Sequence, residues 1–307
     1  MTVAAPVAAA TEGGPQSGRG ARGGRRRGRW LPYWLLAPGT LWLTVFFIVP
    51  MVTLVGTSLQ TGSLDAGYSL TWHWSNYTDV LSTYSSQFFR SLLYAGLATL
   101  AAIAIAYPLA YTIAFKSGRW KNFLLVLVIA PFFTSFLVRT LAWETILSDT
   151  GFVVRAFRTL HIINIVGNNG RLLATPLAVV CGLTYNFLPF MTLPLYASLE
   201  KIDPRLIEAA TDLYCTPFTA FRKVTWKLSM PGVVAGTLLT FIPAAGDYVN
   251  VQFLGSPQQQ MIGNVIQSRF LVVNDYPGAA ALSFSLMVVI LVLVVAYVRR
   301  SGTEELV

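Results

Sequence analysis

Residues 199–232 read LEKIDPRLIEAATDLYCTPFTAFRKVTWKLSMPG, a polar segment lodged between two long apolar stretches. A plain connection would need only turn residues, but this one carries two helix-start signals. At Asp203-Pro204 a carboxylate can accept from the orphan N–H groups of a first turn, and the proline is pre-set for the first helical position. Thr216-Pro217 repeats the device. Glu208-Ala209-Ala210 lies between the two starts. Phe218, Phe221 and Val224 follow the second at helical spacing, beside Arg222, Lys223 and Lys227. The spacing predicts two short helices with an amphipathic pattern, a segment built to meet another molecule.

On either side the chain is strongly apolar. Of its 307 residues 54% are hydrophobic and only 11% charged, where soluble proteins run near a quarter charged; the mean hydropathy is +0.58. A membrane-crossing helix needs roughly 20 apolar residues, and six stretches supply them, at about 31–59, 91–115, 123–147, 174–199, 230–254 and 279–298. The expected fold is an all-α membrane protein of six transmembrane helices forming one polytopic domain over 31–298. Residues 1–30 then form a disordered Arg-rich tail and residues 299–307 a short C-terminal tail.

The cations orient these spans. Sixteen of the 22 Lys and Arg residues, including all five lysines, fall in the N-terminal tail, the 116–121 turn, the 201–227 loop and the pair Arg299 and Arg300. By the positive-inside rule both termini and the long loop are expected on the cytoplasmic side. Topology and tail together account for the net charge of +9, so nucleic acid is not needed to explain it. The tail reads as a segment drawn to the lipid surface. The apolar stretch after it is too long for a cleavable signal.

Several chemistries have no motif here. The chain lacks a Gly-x-x-x-x-Gly-Lys-Ser/Thr phosphate loop, a His-Glu-x-x-His pair and a Gly-x-Ser-x-Gly elbow, and no catalytic role is expected of it. His73 and His161 stand in outward loops without a ligand cluster, and Cys181 and Cys215 are isolated, so neither a disulfide nor a metal site is expected. Prolines interrupt five of the six spans: Pro38 and Pro50, Pro108, Pro131, Pro189 and Pro194, and Pro243. Each frees a backbone carbonyl that protein neighbours or a wet cavity must satisfy. The outward loops, 60–89, 148–173 with its Gly167-Asn168-Asn169-Gly170 turn, and 255–277, are long enough either to cap the bundle or to receive a partner.

The loop carrying Glu208-Ala209-Ala210 resembles the EAA loop of the membrane subunits of bacterial ABC importers. Where that family places a glycine six residues after the Glu, this chain has Tyr214, and the closing Ile-x-Leu-Pro pattern is replaced around Val224, Trp226 and Lys227. A second resemblance, to the polyamine-importer permease branch, rests on Phe136-Leu137-Val138-Arg139-Thr140-Leu141-Ala142-Trp143. It rests also on Met261-Ile262-Gly263-Asn264-Val265-Ile266, Asp275-Tyr276-Pro277-Gly278-Ala279-Ala280 and Gly246-Asp247-Tyr248-Val249. It implies a type I ABC-importer permease in a bacterial inner membrane, moving spermidine, putrescine or a similar solute. The implied partners are a second permease, two ATPase subunits that hold ATP and Mg, and an extracytoplasmic substrate-binding protein, with no cofactor on this chain. In the coupling loop Glu208 would anchor the first helix, with Asp212 and Tyr214 at its end. Ala209 and Ala210 would allow close packing, and Phe218, Phe221 and Val224 would supply apolar contact. The competing reading lays those apolar residues on the membrane surface.

Charges within spans are the remaining signal, because each costs a few kcal/mol at the bilayer centre unless hydrated or paired. Arg139 and Glu144 stand five apart, about 140° around a helix of 3.6 residues per turn, and are poorly placed to pair. Arg139 reads as a structural clamp on neighbouring carbonyls, and Glu144 as a residue near the outer interface. Asp247, four residues after Pro243, is the candidate carboxylate of a cation path, or else a partner for Arg139 or for the second permease. Trp143, Tyr185 and Tyr248 offer aromatic faces for an ammonium. The alternatives are a self-contained secondary carrier or channel, for which no inverted repeat is visible, and an ABC permease for a different small solute.

Overall fold

A computed structural model describes residues 31–159 and 171–300. The Arg-rich tail, the last seven residues, His161 and the Gly167–Gly170 turn lie outside them.

The first helical segment is a unit to itself up to Val52. It comprises α1 (Leu31–Leu43), a π-helical turn (Thr44–Ile48) and α2 (Val49–Ser58). From Tyr33 to Pro50 every residue is exposed, and 26 residues, Tyr33–Ser58, are long and apolar enough to cross a membrane. Thr40 and Thr44 return their hydroxyls to carbonyls of the preceding turn, Leu36 and Thr40 among them, so these two hydroxyls are satisfied within the helix on an apolar rod.

The second unit starts at Thr53, within α2, and continues into a small antiparallel hairpin, β1 (Gln60–Ser63) and β2 (Gly67–Leu70), in which Gln60 pairs with Leu70 and Ser63 with Gly67. Here the structure corrects the expected loop over 60–89. Besides the hairpin, α3 already starts at Ser75 and runs to Phe115, with a kink at Tyr84. Helices α4 (Lys121–Ile129), α5 (Phe136–Leu147) and α6 (Phe152–Thr159) follow. The third expected span is not straight. Thr134 and Ser135 leave the helical region, and the limbs before and after them meet at 95°. Long α7 (Pro176–Glu200) leads to the loop helices α8 (Pro204–Asp212) and α9 (Pro217–Ala220). A π-helical turn (Phe221–Thr225) then runs into α10 (Trp226–Ala245). The fifth expected span, 230–254, ends early: the helix stops at Ala245, Gly246 to Tyr248 are irregular, and a short α11 (Val249–Leu254) resumes. Helices α12 (Ile262–Ser268) and α13 (Tyr276–Arg300) complete the chain, so Arg299 and Arg300 close a helix instead of opening a tail.

The core is built by close approach. On α3 the buried residues Ala95, Ala98, Ala102, Ala106 and Ala110 form a stripe of small side chains. It lies against α7, whose Val179, Leu183, Phe187, Met191, Leu195 and Leu199 recur every four residues and are buried. Small residues let helix backbones approach and gain dispersion contact where lipid offers no hydrophobic drive. Helix α10 packs on α7 and α3, and α13 on α3.

Candidate functional site

Two places gather the sequence candidates. The first is the loop after α7. As its start signals require, Asp203 Oδ1 accepts from Arg205 N at 3.0 Å and Thr216 Oγ1 from Thr219 N at 3.3 Å, capping α8 and α9. Helix α8 ends with the N–H of Cys215 on the Ala210 carbonyl (3.2 Å) and the N–H of Tyr214 on that of Thr211 (3.0 Å). Those two bonds are a Schellman closure, whose penultimate residue must be left-handed. Tyr214 is that residue, with φ of 59°, in the place where glycine is nearly free. Its ring is 99% exposed, so backbone bonds hold it in place and side-chain packing does not.

Glu208, Ala209 and Asp212 are exposed and Ala210 half-buried. The apolar face is not the one the spacing suggests. Phe218 is 71% exposed, and Leu213, Tyr214 and Leu206 join it. Phe221 turns inward onto Tyr107 and Tyr111 of α3, with ring centroids 5.6 and 6.0 Å apart, and Val224 is half-buried. Leu206 and Leu213 precede the second helix start and lie outside the Phe218, Phe221, Val224 period, so that period does not point to them.

The second place is the break between α10 and α11. Asp247 is 8% exposed. Its Oδ1 accepts from the N–H of Asn250 at 2.8 Å, capping α11, and Asn250 Oδ1 accepts from Asn186 Nδ2 of α7 at 2.9 Å. Asn186 also reaches Thr140 Oγ1 of α5 at 3.3 Å. A polar line therefore joins α5, α7 and α11 through the buried interior, and along it Asn186 Oδ1 and Asn250 Nδ2 make no hydrogen bond. On the far side of the break, Asn264 Nδ2 donates to the Tyr248 carbonyl at 2.9 Å. A Cβ on Gly263 would sit 2.5 Å from the Gly246 carbonyl oxygen, so only glycine lets α12 press on the irregular backbone. The Gly263-Asn264 pair thus packs directly against the break.

The other candidates sort around this line. Trp143, three residues after Thr140, and Tyr185, next to Asn186, meet edge to face at 5.4 Å, and Tyr248 is partly exposed. Glu144 is half-buried and, like Asp247, forms no ion pair among the described residues. Arg139 is buried. Its Nε and Nη1 find no carbonyl; the guanidinium instead lies over the rings of Phe132 and Phe136, 5.8 and 5.7 Å from their centroids, a cation–π arrangement. It pairs with neither Glu144 nor Asp247. Thr140, Asn186 and Asn250 were missed. An asparagine inside an apolar run was the available signal, since an amide in hydrocarbon must find partners.

Residues 102–301 match the family model described as the binding-protein-dependent transport system inner membrane component. This chain belongs to that family. It is 36% identical over 261 residues to the spermidine/putrescine transport system permease protein PotB of Escherichia coli, covering 85% of this chain and 94% of that one. The Haemophilus influenzae PotB is 35% identical, over 85% and 90% of the two chains. The E. coli inner membrane ABC transporter permease protein YdcU is 34% identical over 70% and 71%. In structure the chain is similar to a bacterial ABC transporter for the acidic polysaccharide alginate, with TM-score 0.66 at 18% identity over 90% and 96% of the chains. It is likewise similar to an alginate transporter in complex with a pentasaccharide-bound periplasmic protein, with TM-score 0.67 at 21% identity over 89% and 94%. The fold is therefore that of an ABC-importer permease, and the chain is a multi-pass inner-membrane subunit of such an importer.

Proposed function

We propose that this permease forms half of the translocation path for a small cationic solute of the polyamine class, spermidine or putrescine. A second permease completes the path. Two ATPase subunits, holding ATP and Mg, press on the 204–220 loop, and an extracytoplasmic binding protein delivers solute from the other side. Both termini and the loop face the cytoplasm. The observation that carries this reading is the likeness to spermidine/putrescine permeases along 85% of the chain, which includes the break bearing Asp247. The exposed Leu206, Leu213, Tyr214 and Phe218 supply the apolar side of the ATPase contact, with Glu208 beside them.

The test is reconstitution of the chain with its neighbouring ATPase, second permease and binding protein in vesicles, with labelled putrescine and spermidine outside. ATP-dependent accumulation is the expected result. Transport by this chain alone, without an ATPase, would return the carrier reading. ATP-dependent accumulation of another solute in preference to both polyamines would keep the permease and replace its cargo.

A further inference from the structure

Between the loop helices and the membrane helix α10 lies an element that the function above does not use, the π-helical turn Phe221–Thr225. The Trp226 N–H closes it on the Phe221 carbonyl, five residues back. On a regular helix residues five apart stand about 140° from one another, whereas an i→i+5 turn brings them nearly onto one face. Phe221 and Trp226 consequently meet the same side chain. Tyr107 of α3 is buried, with the Phe221 ring at 5.6 Å, edge to face, and the Trp226 ring at 5.1 Å. Tyr111, one turn further along α3, flanks Phe221 as well. The Tyr107 hydroxyl lies 2.8 Å from Ser229 Oγ. The same Ser229 hydroxyl also lies 3.1 Å from the Trp226 carbonyl oxygen. Directly after Tyr107 comes Pro108, which removes a backbone bond and makes α3 easier to bend at that point.

We propose that the π turn is a clasp: by holding Tyr107 between Phe221 and Trp226, it transmits displacement of the loop helices to α3 at Pro108 as well as along α10. Phe221 and Tyr107 are positioning residues for the transport cycle. Without the clasp the loop would pull directly only on the two helices it joins, α7 and α10, and α3, which carries the alanine stripe against α7, would lag behind nucleotide binding. The inference rests on the loop being the ATPase contact.

The experiment uses the complete reconstituted importer and reads two quantities, ATPase copurification and polyamine imported per ATP hydrolysed. Phe221→Leu keeps an apolar side chain but loses the ring. It is expected to copurify the ATPase normally and to import less per ATP by roughly two- to tenfold, the range that lost aromatic pairs support. Phe221→Tyr keeps the ring and is expected to restore the ratio; an equal loss in both variants overturns the proposal. Should Phe221→Leu not assemble, Tyr107→Phe, which removes one hydroxyl and keeps all three rings, decides on its own through a smaller fall in the same ratio. Normal copurification with an unchanged ratio in the decisive variant overturns this inference alone. Failure of the ATPase to copurify with the unmodified chain overturns the reading beneath it.

Discussion

At Tyr214 a left-handed backbone costs a side-chain-bearing residue about 1–2 kcal/mol, and the ring recovers none of it within this chain, being 99% exposed. Replacement by glycine removes that strain but adds unfolded-state freedom worth about 0.5–1 kcal/mol. Tyr214→Gly is therefore expected to leave the detergent-solubilised permease equally stable or up to about 1.5 kcal/mol more stable in thermal unfolding, while weakening copurification of the ATPase. Unchanged copurification would mean that the ring docks nowhere. Asp247 presents the opposite case, a buried group with a local duty. In Asp247→Asn the amide oxygen can still accept from the Asn250 N–H, so assembly and basal ATP hydrolysis should persist. Polyamine uptake at sub-saturating concentration should fall, because a carboxylate in a low-dielectric path offsets part of the cost of dehydrating a cation. Glu144→Gln, off the hydrogen-bonded line, should have the smaller effect. If Asp247→Asn transports like the parent, the path's anion belongs to the second permease.

Among elements, the loop was the most legible and the broken helices the least. Asp203-Pro204 and Thr216-Pro217 mark helix starts by local chemistry, and both caps form as the residues dictate. The inward turn of Phe221 was not legible, because a period of 3.6 was applied across a stretch that the fold winds as a π turn. The early start of α3 was missed for another reason. Val80, Tyr84 and Phe88 recur every four residues and line its inner side, but hydropathy averaged over a span-length window hides them among serines and threonines. In the third span Pro131 announced a disturbance, yet the 95° bend comes from Thr134 and Ser135 turning extended, which nothing in their residue types demands. At the level of the loop, Glu208→Lys reverses an exposed charge on α8 without touching a buried contact. Insertion of the spans is expected to be normal and either ATPase association or the coupling of hydrolysis to uptake to be lost. Full solute-stimulated hydrolysis with full uptake in that variant would remove α8 from the docking surface.

For the whole molecule, the orientation of the chain turns on the bent pair. If the limbs 118–133 and 136–159 together cross the membrane, the number of crossings is six and both termini share a side; if the pair re-enters, the count is five. Single cysteines at Ser117 and Thr150, in a chain with Cys181 and Cys215 replaced by serine, separate the cases through a membrane-impermeant thiol reagent on intact cells. Labelling at Thr150 alone is expected, with Ser117 reacting only after permeabilisation. Equal behaviour of the two positions would refute the six-span topology.

The bend also bears on how the protein is made. Helix α5 has 12 residues, about 18 Å at 1.5 Å per residue, well short of a hydrocarbon core about 30 Å thick. During synthesis the run 123–147 is made before α7 and α11, two helices on which α5 packs, and its backbone groups are best satisfied as one straight rod. The partner that Thr140 meets in the finished fold is Asn186, 46 residues further along and not yet translated when the rod enters the bilayer. Breaking the rod is therefore a late event in biogenesis, one that waits for the fourth span and completes the polar interior only once that span is in place.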